Sequence, residues 1–231
     1  MFWSKLASLF KRSDKQDKAR AKSTVATSNQ QKRTVKPSRI GELGEYKIDV
    51  QLRQMPREIR YISDVLVRNP KSRTGYSQID HVVITPYGLF VIETKNYKGE
   101  IKGKRTDKRW NVSGRFNPYN PLRQNYGHMK ILQSLLSEFQ NLTFVSIISF
   151  TLRCRFSVDP ELRKIESNEL VIYDVELSDY IERKLRRLKY EISEPVLSES
   201  DVNRVYELIN KANITNPQAR TEHNRLAGGI K

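Results

Sequence analysis

Residues 78–103 read QIDHVVITPYGLFVIETKNYKGEIKG, and the fold of the chain turns on how they pair. Gln78 to Thr85 and Leu89 to Ile92 are rich in β-branched and aromatic residues on either side of Pro86-Tyr87-Gly88, which predicts two strands joined by a tight turn. A third short strand is expected from near Ile101. Leu89 to Ile92 is apolar at successive positions, so both faces of this strand are expected to be buried and it belongs in the middle of a sheet. Glu93-Thr94-Lys95 at its end therefore stands out, because side chains two apart on a strand share a face. If Tyr87-Gly88 forms a two-residue turn pairing Pro86 with Leu89, Asp80 lies opposite Lys95 and diagonal to Glu93, and all three converge. Tyrosine suits a positive-φ turn poorly, so a bulge is the alternative, and a one-residue slip would separate Asp80 from the pair.

Working outward, GELGEYKIDVQLRQM from Gly41 has helical spacing and stops at Pro56, and Tyr61 to Val67 reads as a strand before a polar turn. Downstream, Asn120-Pro121 opens a helix expected to reach about Phe139. Thr143 to Phe150 and Leu170 to Tyr173 read as further strands. Ser178 and Ser198 are placed to cap helices through about Leu188 and Lys211. This succession predicts an α/β fold with a central mixed β-sheet flanked by helices.

Residues 1–39 differ from the rest. Eleven Lys/Arg against two Asp give this segment +9 of the chain's formal +16, leaving +7 for the remainder. A basic, disordered tail with a short amphipathic start is expected here, with residues 40–215 as the folded domain and 216–231 as a C-terminal tail. Met1 to Arg12 gathers Phe2, Trp3, Leu6, Leu9 and Phe10 on one helical face, and this start could make weak membrane-surface contact. No run approaches the roughly 20 apolar residues of a membrane-spanning helix, and one cysteine cannot form an internal disulfide; a cytoplasmic setting is the expectation. The positive charge suits a polyanion: nucleic acid or acidic lipid.

Two carboxylates a few ångströms apart repel unless a hard cation lies between them, and Mg²⁺ or Mn²⁺ accepts such ligands while keeping several waters. Asp80 and Glu93 are candidates for that pair, with Lys95 as the cation that positions water or neutralises a phosphate oxygen. His81, next to Asp80 on its strand, faces the other way and reads as structural, and Cys154 reads as a buried, inert thiol. Lys71, Arg73, Lys102, Lys104 and Arg105 flank the candidate site on loops and could line a phosphate track.

Asp80, twelve residues, then Glu93-Thr94-Lys95 at the end of an apolar strand resembles the D…ExK pattern of PD-(D/E)XK nucleases. More narrowly, the chain is similar to the nuclease-related domain (NERD) family. The resemblance rests on Gly41-Glu42-Leu43-Gly44-Glu45, Gln78 to Val83, Gly88 to Tyr97 with Gly99, and Asn120 to Gln124. It implies a restriction-endonuclease-like core, a divalent metal and a nucleic-acid substrate, DNA by preference and with little sequence specificity. It makes Asp80 and Glu93 metal ligands together with the Thr94 backbone carbonyl, and Lys95 the catalytic lysine. Glu45 adds a carboxylate from the first helix. Gln124, with His128 four residues on, resembles a QxxxY-type helix motif in which histidine replaces tyrosine. The alternative function is a non-catalytic nucleic-acid-binding module on the same fold.

Overall fold

A computed structural model describes residues 37–228. The proposed amphipathic start and nearly all of the basic tail lie outside the described residues. The elements run α1 (Pro37–Leu52), β1 (Arg60–Arg68), β2 (Tyr76–Thr85), β3 (Gly88–Lys95), β4 (Gly99–Gly103), β5 (Asn111–Val112), α2 (Pro121–Leu135), β6 (Phe144–Phe150), β7 (Cys154–Val158), β8 (Glu169–Tyr173), α3 (Leu177–Ile192), α4 (Glu199–Ala212) and α5 (Pro217–Gly228). Five strands form the central sheet in the order β1-β2-β3-β6-β8. β1, β2 and β3 pair antiparallel, while β3, β6 and β8 pair parallel, so the sheet is mixed. The parallel half follows from the long connection through α2, since adjacent parallel strands require a crossover.

The apolar run of β3 is fully buried because both faces are covered. Leu89 and Val91 pack with Met129, Leu132 and Leu136 and with Val202, Val205 and Ile209, which places α2 and α4 on one side. Phe90 and Ile92 pack with Ile48, Leu52, Leu177 and Ile181, which places α1 and α3 on the other. The short strand expected from near Ile101 is β4, but it belongs to a second, three-stranded sheet, β5-β4-β7, whose other two strands were not foreseen from the sequence. It packs Ile101, Trp110 and Val112 against Phe150 and Leu162, and its strands are too short to carry a periodic signal of their own.

The β2–β3 turn differs from the expected one. Thr85 pairs with Gly88, so Pro86-Tyr87 forms the turn. Proline cannot adopt a positive φ, Tyr87 does not, and Gly88 carries it instead at 147°. Thr85 Oγ1 closes the turn by donating to the Gly88 carbonyl at 2.7 Å. The register moves by two residues, which preserves facing: extending the His81–Ile92 and Val83–Phe90 pairs brings Asp80 alongside Glu93 rather than Lys95.

β1 and β2 also switch faces part-way. Ile62 and Val65, like Ile79 and Val82, join the same core although each two are three residues apart. The switch lies at Asp64, whose φ is 55°, a left-handed conformation that aspartate tolerates better than most residues. The regular ladder skips the Asp64–Asp80 position. Arg220 holds the kink by donating to Asp64 Oδ2 at 2.6 Å and to its carbonyl at 2.9 Å.

Arg220 belongs to α5, so residues 217–228, read from sequence as tail, are a helix packed on the domain. Its His223 is buried with Nδ1 3.0 Å from Thr74 Oγ1. Short, polar and ended by glycine, α5 lacks the apolar stripe that marks a core helix in sequence. The segment leading into it lies along the outer edge of β1: Ile214 N–H donates to the Leu66 carbonyl at 2.8 Å, and Leu66 N–H donates to Asn213 Oδ1 at 2.9 Å. Two helix starts bear on the sequence reading. Ser198 caps α4 by accepting from Asp201 N–H at 3.1 Å, as expected. Ser178 does not cap α3, which begins one residue earlier from a 3₁₀ turn over Asp174–Glu176.

Candidate active site

The site forms where β3 leaves the core. Glu93 is the first charged residue after the buried run and is only 3% exposed. Its Oε1 accepts from Lys95 Nζ at 2.5 Å and from Gln124 Nε2 at 2.8 Å, and Lys95 Nζ also donates to Gln124 Oε1 at 3.1 Å. Gln124 thus reads both partners through one amide, and the three side chains form a closed ring. Asn120 makes this possible by accepting from Leu122 N–H at 2.9 Å, with Pro121 in the first turn, so α2 starts where Gln124 reaches the strand.

One position beyond Gln124, Asn125 is fully buried and donates to the Val91 carbonyl and to Ser146 Oγ, each at 2.8 Å. It anchors α2 across β3 and β6. It was missed in the sequence because an asparagine on a helix is ordinarily solvent-facing; its position among Leu122, Met129 and Leu132 was the available signal. We expect Asn125→Leu to lower stability by about 2 kcal/mol, the cost of leaving buried acceptors without a donor, as read by chemical denaturation.

Asp80 is partly buried, and its Oδ2 accepts from Thr94 N–H at 2.7 Å. The N–H and carbonyl of one strand residue leave on the same side, so the Thr94 carbonyl also faces the Asp80 strand. Burial, followed by the charge of Glu93, raises the Asp80 pKa well above the usual carboxylate range, against the opposing pull of Lys95 and the Thr94 N–H. Glu45 on α1 feels the same site: burial, then the charges of Asp64 and Glu93, raise its pKa. α1 comes close because Gly44 leaves room, a Cβ there lying 3.2 Å from Thr94 Cγ2, whereas Gly41 faces open space and serves no such approach. Burial works against the Lys95 ammonium, but Glu93, with Tyr97 and Asp80, more than offsets it and raises the Lys95 pKa.

These residues fit a divalent cation. Glu93 Oε2 is buried and has no hydrogen-bond partner; His128 Nδ1 lies 3.4 Å away, but it too lacks a hydrogen bond. Burial, outweighing the attraction of Glu93, lowers the His128 pKa, so this neighbour is a neutral imidazole rather than a counter-charge. A buried carboxylate oxygen left over beside a second, repelled carboxylate is a donor pair short of a cation. Among the described residues no three His, Cys, Asp or Glu side chains close into a preformed cage. One or two carboxylates are what Mg²⁺ uses when it keeps waters and shares a substrate phosphate.

The sequence candidates are therefore not all brought together. Asp80, Glu93, Lys95 and Gln124 converge, with Glu45 within electrostatic reach. His81 is buried on a separate contact, Nδ1 to Ser63 Oγ at 2.9 Å, and burial lowers its pKa to about 4, which suits a structural role. Cys154 is buried, and burial raises its thiol pKa to about 11. Of the proposed phosphate contacts, Arg105 pairs with Glu169, Lys102 with Glu100 at 3.1 Å, and Arg73 donates to the Leu226 carbonyl. Lys102 and Lys104 line a concavity on the small sheet that also holds Asp107 and Asp159. Lys71 lies on the β1–β2 turn beside α2.

A hairpin carboxylate facing a Glu-x-Lys strand end, with a helix laid across it inside an α/β sandwich, is the arrangement of a restriction-endonuclease-like core. Residues 40–151 match the family model described as a nuclease-related domain, NERD. The match covers just under half of the chain, and the resemblance to the PD-(D/E)XK superfamily is consistent with it. An uncharacterized protein of Bacillus anthracis is 29% identical over 192 residues, covering 81% of this chain and 83% of that one. No solved structure matches the chain.

Proposed function

We propose that the chain is a metal-dependent nuclease that hydrolyses phosphodiester bonds in DNA with little sequence preference. The supporting observation is the unsatisfied Oε2 of Glu93, buried beside Asp80 and fixed in place through its other oxygen by Lys95 and Gln124. Asp80 and Glu93 would hold Mg²⁺ or Mn²⁺, with the Thr94 carbonyl as a third donor. The ion would supply charge neutralisation at a phosphate and make water more acidic. Lys95 is the chain's own contribution to the reacting phosphate: a positioned ammonium that stabilises charge as it develops. Gln124 orients both Lys95 and Glu93, and Glu45 can accept a hydrogen bond from water entering between α1 and β3.

The experiment is cleavage of supercoiled and single-stranded DNA, with RNA alongside, in Mg²⁺, Mn²⁺ or EDTA. Cutting that requires metal is the expected result. Binding without cutting under every condition would replace this reading with the binding module. Metal occupancy has its own readout: at a concentration about a hundred times its dissociation constant, Mn²⁺ is expected to stabilise the fold by about 2.7 kcal/mol and raise Tm by roughly 5–10 °C. That shift should vanish in Asp80→Asn.

A further inference from the structure

The charged residues that the site does not use gather elsewhere. Between the β1–β2 turn and the flank of α2 runs a groove of about 700 Å³, rimmed by Arg68, Lys71 and Lys130 and floored in part by Ile131 and Leu135. All three cations are exposed, none has a carboxylate partner among the described residues, and no acidic residue lines the groove. This contrasts with the small-sheet concavity, where Asp107 and Asp159 interrupt the basic lining.

Gly127 lies on the same wall, in the middle of α2. A glycine inside a helix is destabilising relative to alanine. Nothing in the fold accounts for it, since a Cβ at Gly127 would meet no atom within 4 Å. What its missing side chain leaves is depth in the groove. The same helix carries Gln124 and His128 against Glu93, so α2 contributes to both the groove and the site.

We propose that this groove is a binding track for a single strand of nucleic acid, its phosphates on Arg68, Lys71 and Lys130 and its sugars and bases on the apolar floor beside Gly127. A cationic rim selects a polyanion, and a concave apolar floor suits unpaired nucleotides, because a duplex keeps its bases covered. The proposal rests on the nuclease reading for the direction of the strand, towards Glu93 and Lys95, but its binding term stands on the groove alone.

The test is binding of a fluorescent single-stranded oligonucleotide to the full chain in EDTA, titrated across salt. The variants are R68S/K71S/K130S, Gly127→Leu, and a charge-matched control on α3, R183S/R186S/K189S. Single strands release about 0.7 counterion per phosphate contact, so the groove triple variant should lower the salt slope by about 2 and weaken binding roughly a hundredfold at 0.1 M salt. Gly127→Leu should weaken binding with no loss of Tm, since the added side chain enters open space. Unchanged affinity in both groove variants, or an equal loss in the α3 control, would overturn the track. So would a loss confined to a duplex of the same sequence, titrated alongside the single strand. Groove-dependent binding by a protein that never cuts would retain the track and remove the nuclease reading; metal-dependent cutting with no groove effect would do the reverse.

Discussion

Glu93→Gln is expected to reduce metal-dependent DNA cleavage by on the order of a thousandfold or more, because it removes the charge that the cation and the ammonium share. The substitution keeps size and leaves an oxygen for Gln124 to donate to, so the fold should persist. Lys95→Met should abolish cleavage to a similar degree but for a second reason as well. Glu93 is 3% exposed and Lys95 16%, so losing the ammonium strands a buried carboxylate, at a cost of about 3 kcal/mol. In a domain of this size that corresponds to a fall in Tm of roughly 6–12 °C. Combining Glu93→Gln with Lys95→Met should recover most of the lost Tm and none of the activity. Parallel measurement of Tm and cleavage separates the two roles; a double variant as unstable as Lys95→Met would show that the pair is not what holds this corner of the sheet.

Gly88→Ala is expected to destabilise the domain by about 3 kcal/mol, as much as a typical large-to-small truncation in the core. A Cβ at Gly88 would lie 2.5 Å from the Thr143 carbonyl oxygen, and the residue has φ 147°. That carbonyl is not free to retreat, because it accepts from Leu89 N–H at 2.9 Å and begins the β3–β6 pairing. The strained φ and the backbone overlap add. The turn also sets the register that brings Asp80 beside Glu93, so residual activity should fall further than the folded fraction does. Denaturation midpoints and cleavage on the same preparations check this; Gly114→Ala, at a positive φ in open space, gives the effect of strain without overlap.

The sequence made the central strands legible because β3 is apolar on both faces and only a mid-sheet strand can be so. Glu93 and Lys95 were legible for the converse reason: charge at the end of such a strand has to be held by something. The turn was misplaced by one residue and the register therefore by two, since Pro86-Tyr87-Gly88 offers two ways to close and the one adopted is closed by the Thr85 hydroxyl. The facing of Asp80 survived because the error was even. Asn125 was hidden by its residue type, and the α5 helix by its polarity, since its anchors are arginine and histidine contacts rather than an apolar stripe. The phosphate contacts fared as surface charges do: lysines and arginines look alike in sequence whether they end in ion pairs, as Arg105 does, or in an unpaired groove, as Lys71 does.

Asn213 and Ile214 occupy the hydrogen-bonding groups of Leu66 on the outermost strand of the central sheet. An uncovered edge strand is a template on which a second chain can add. The linker before α5 thereby covers this edge at Leu66, with two hydrogen bonds taking up the groups that a second chain would pair with. A chain shortened to end at α4 would keep every side chain of the candidate catalytic ring, yet its weakness would be colloidal rather than chemical, with copies free to join edge to edge.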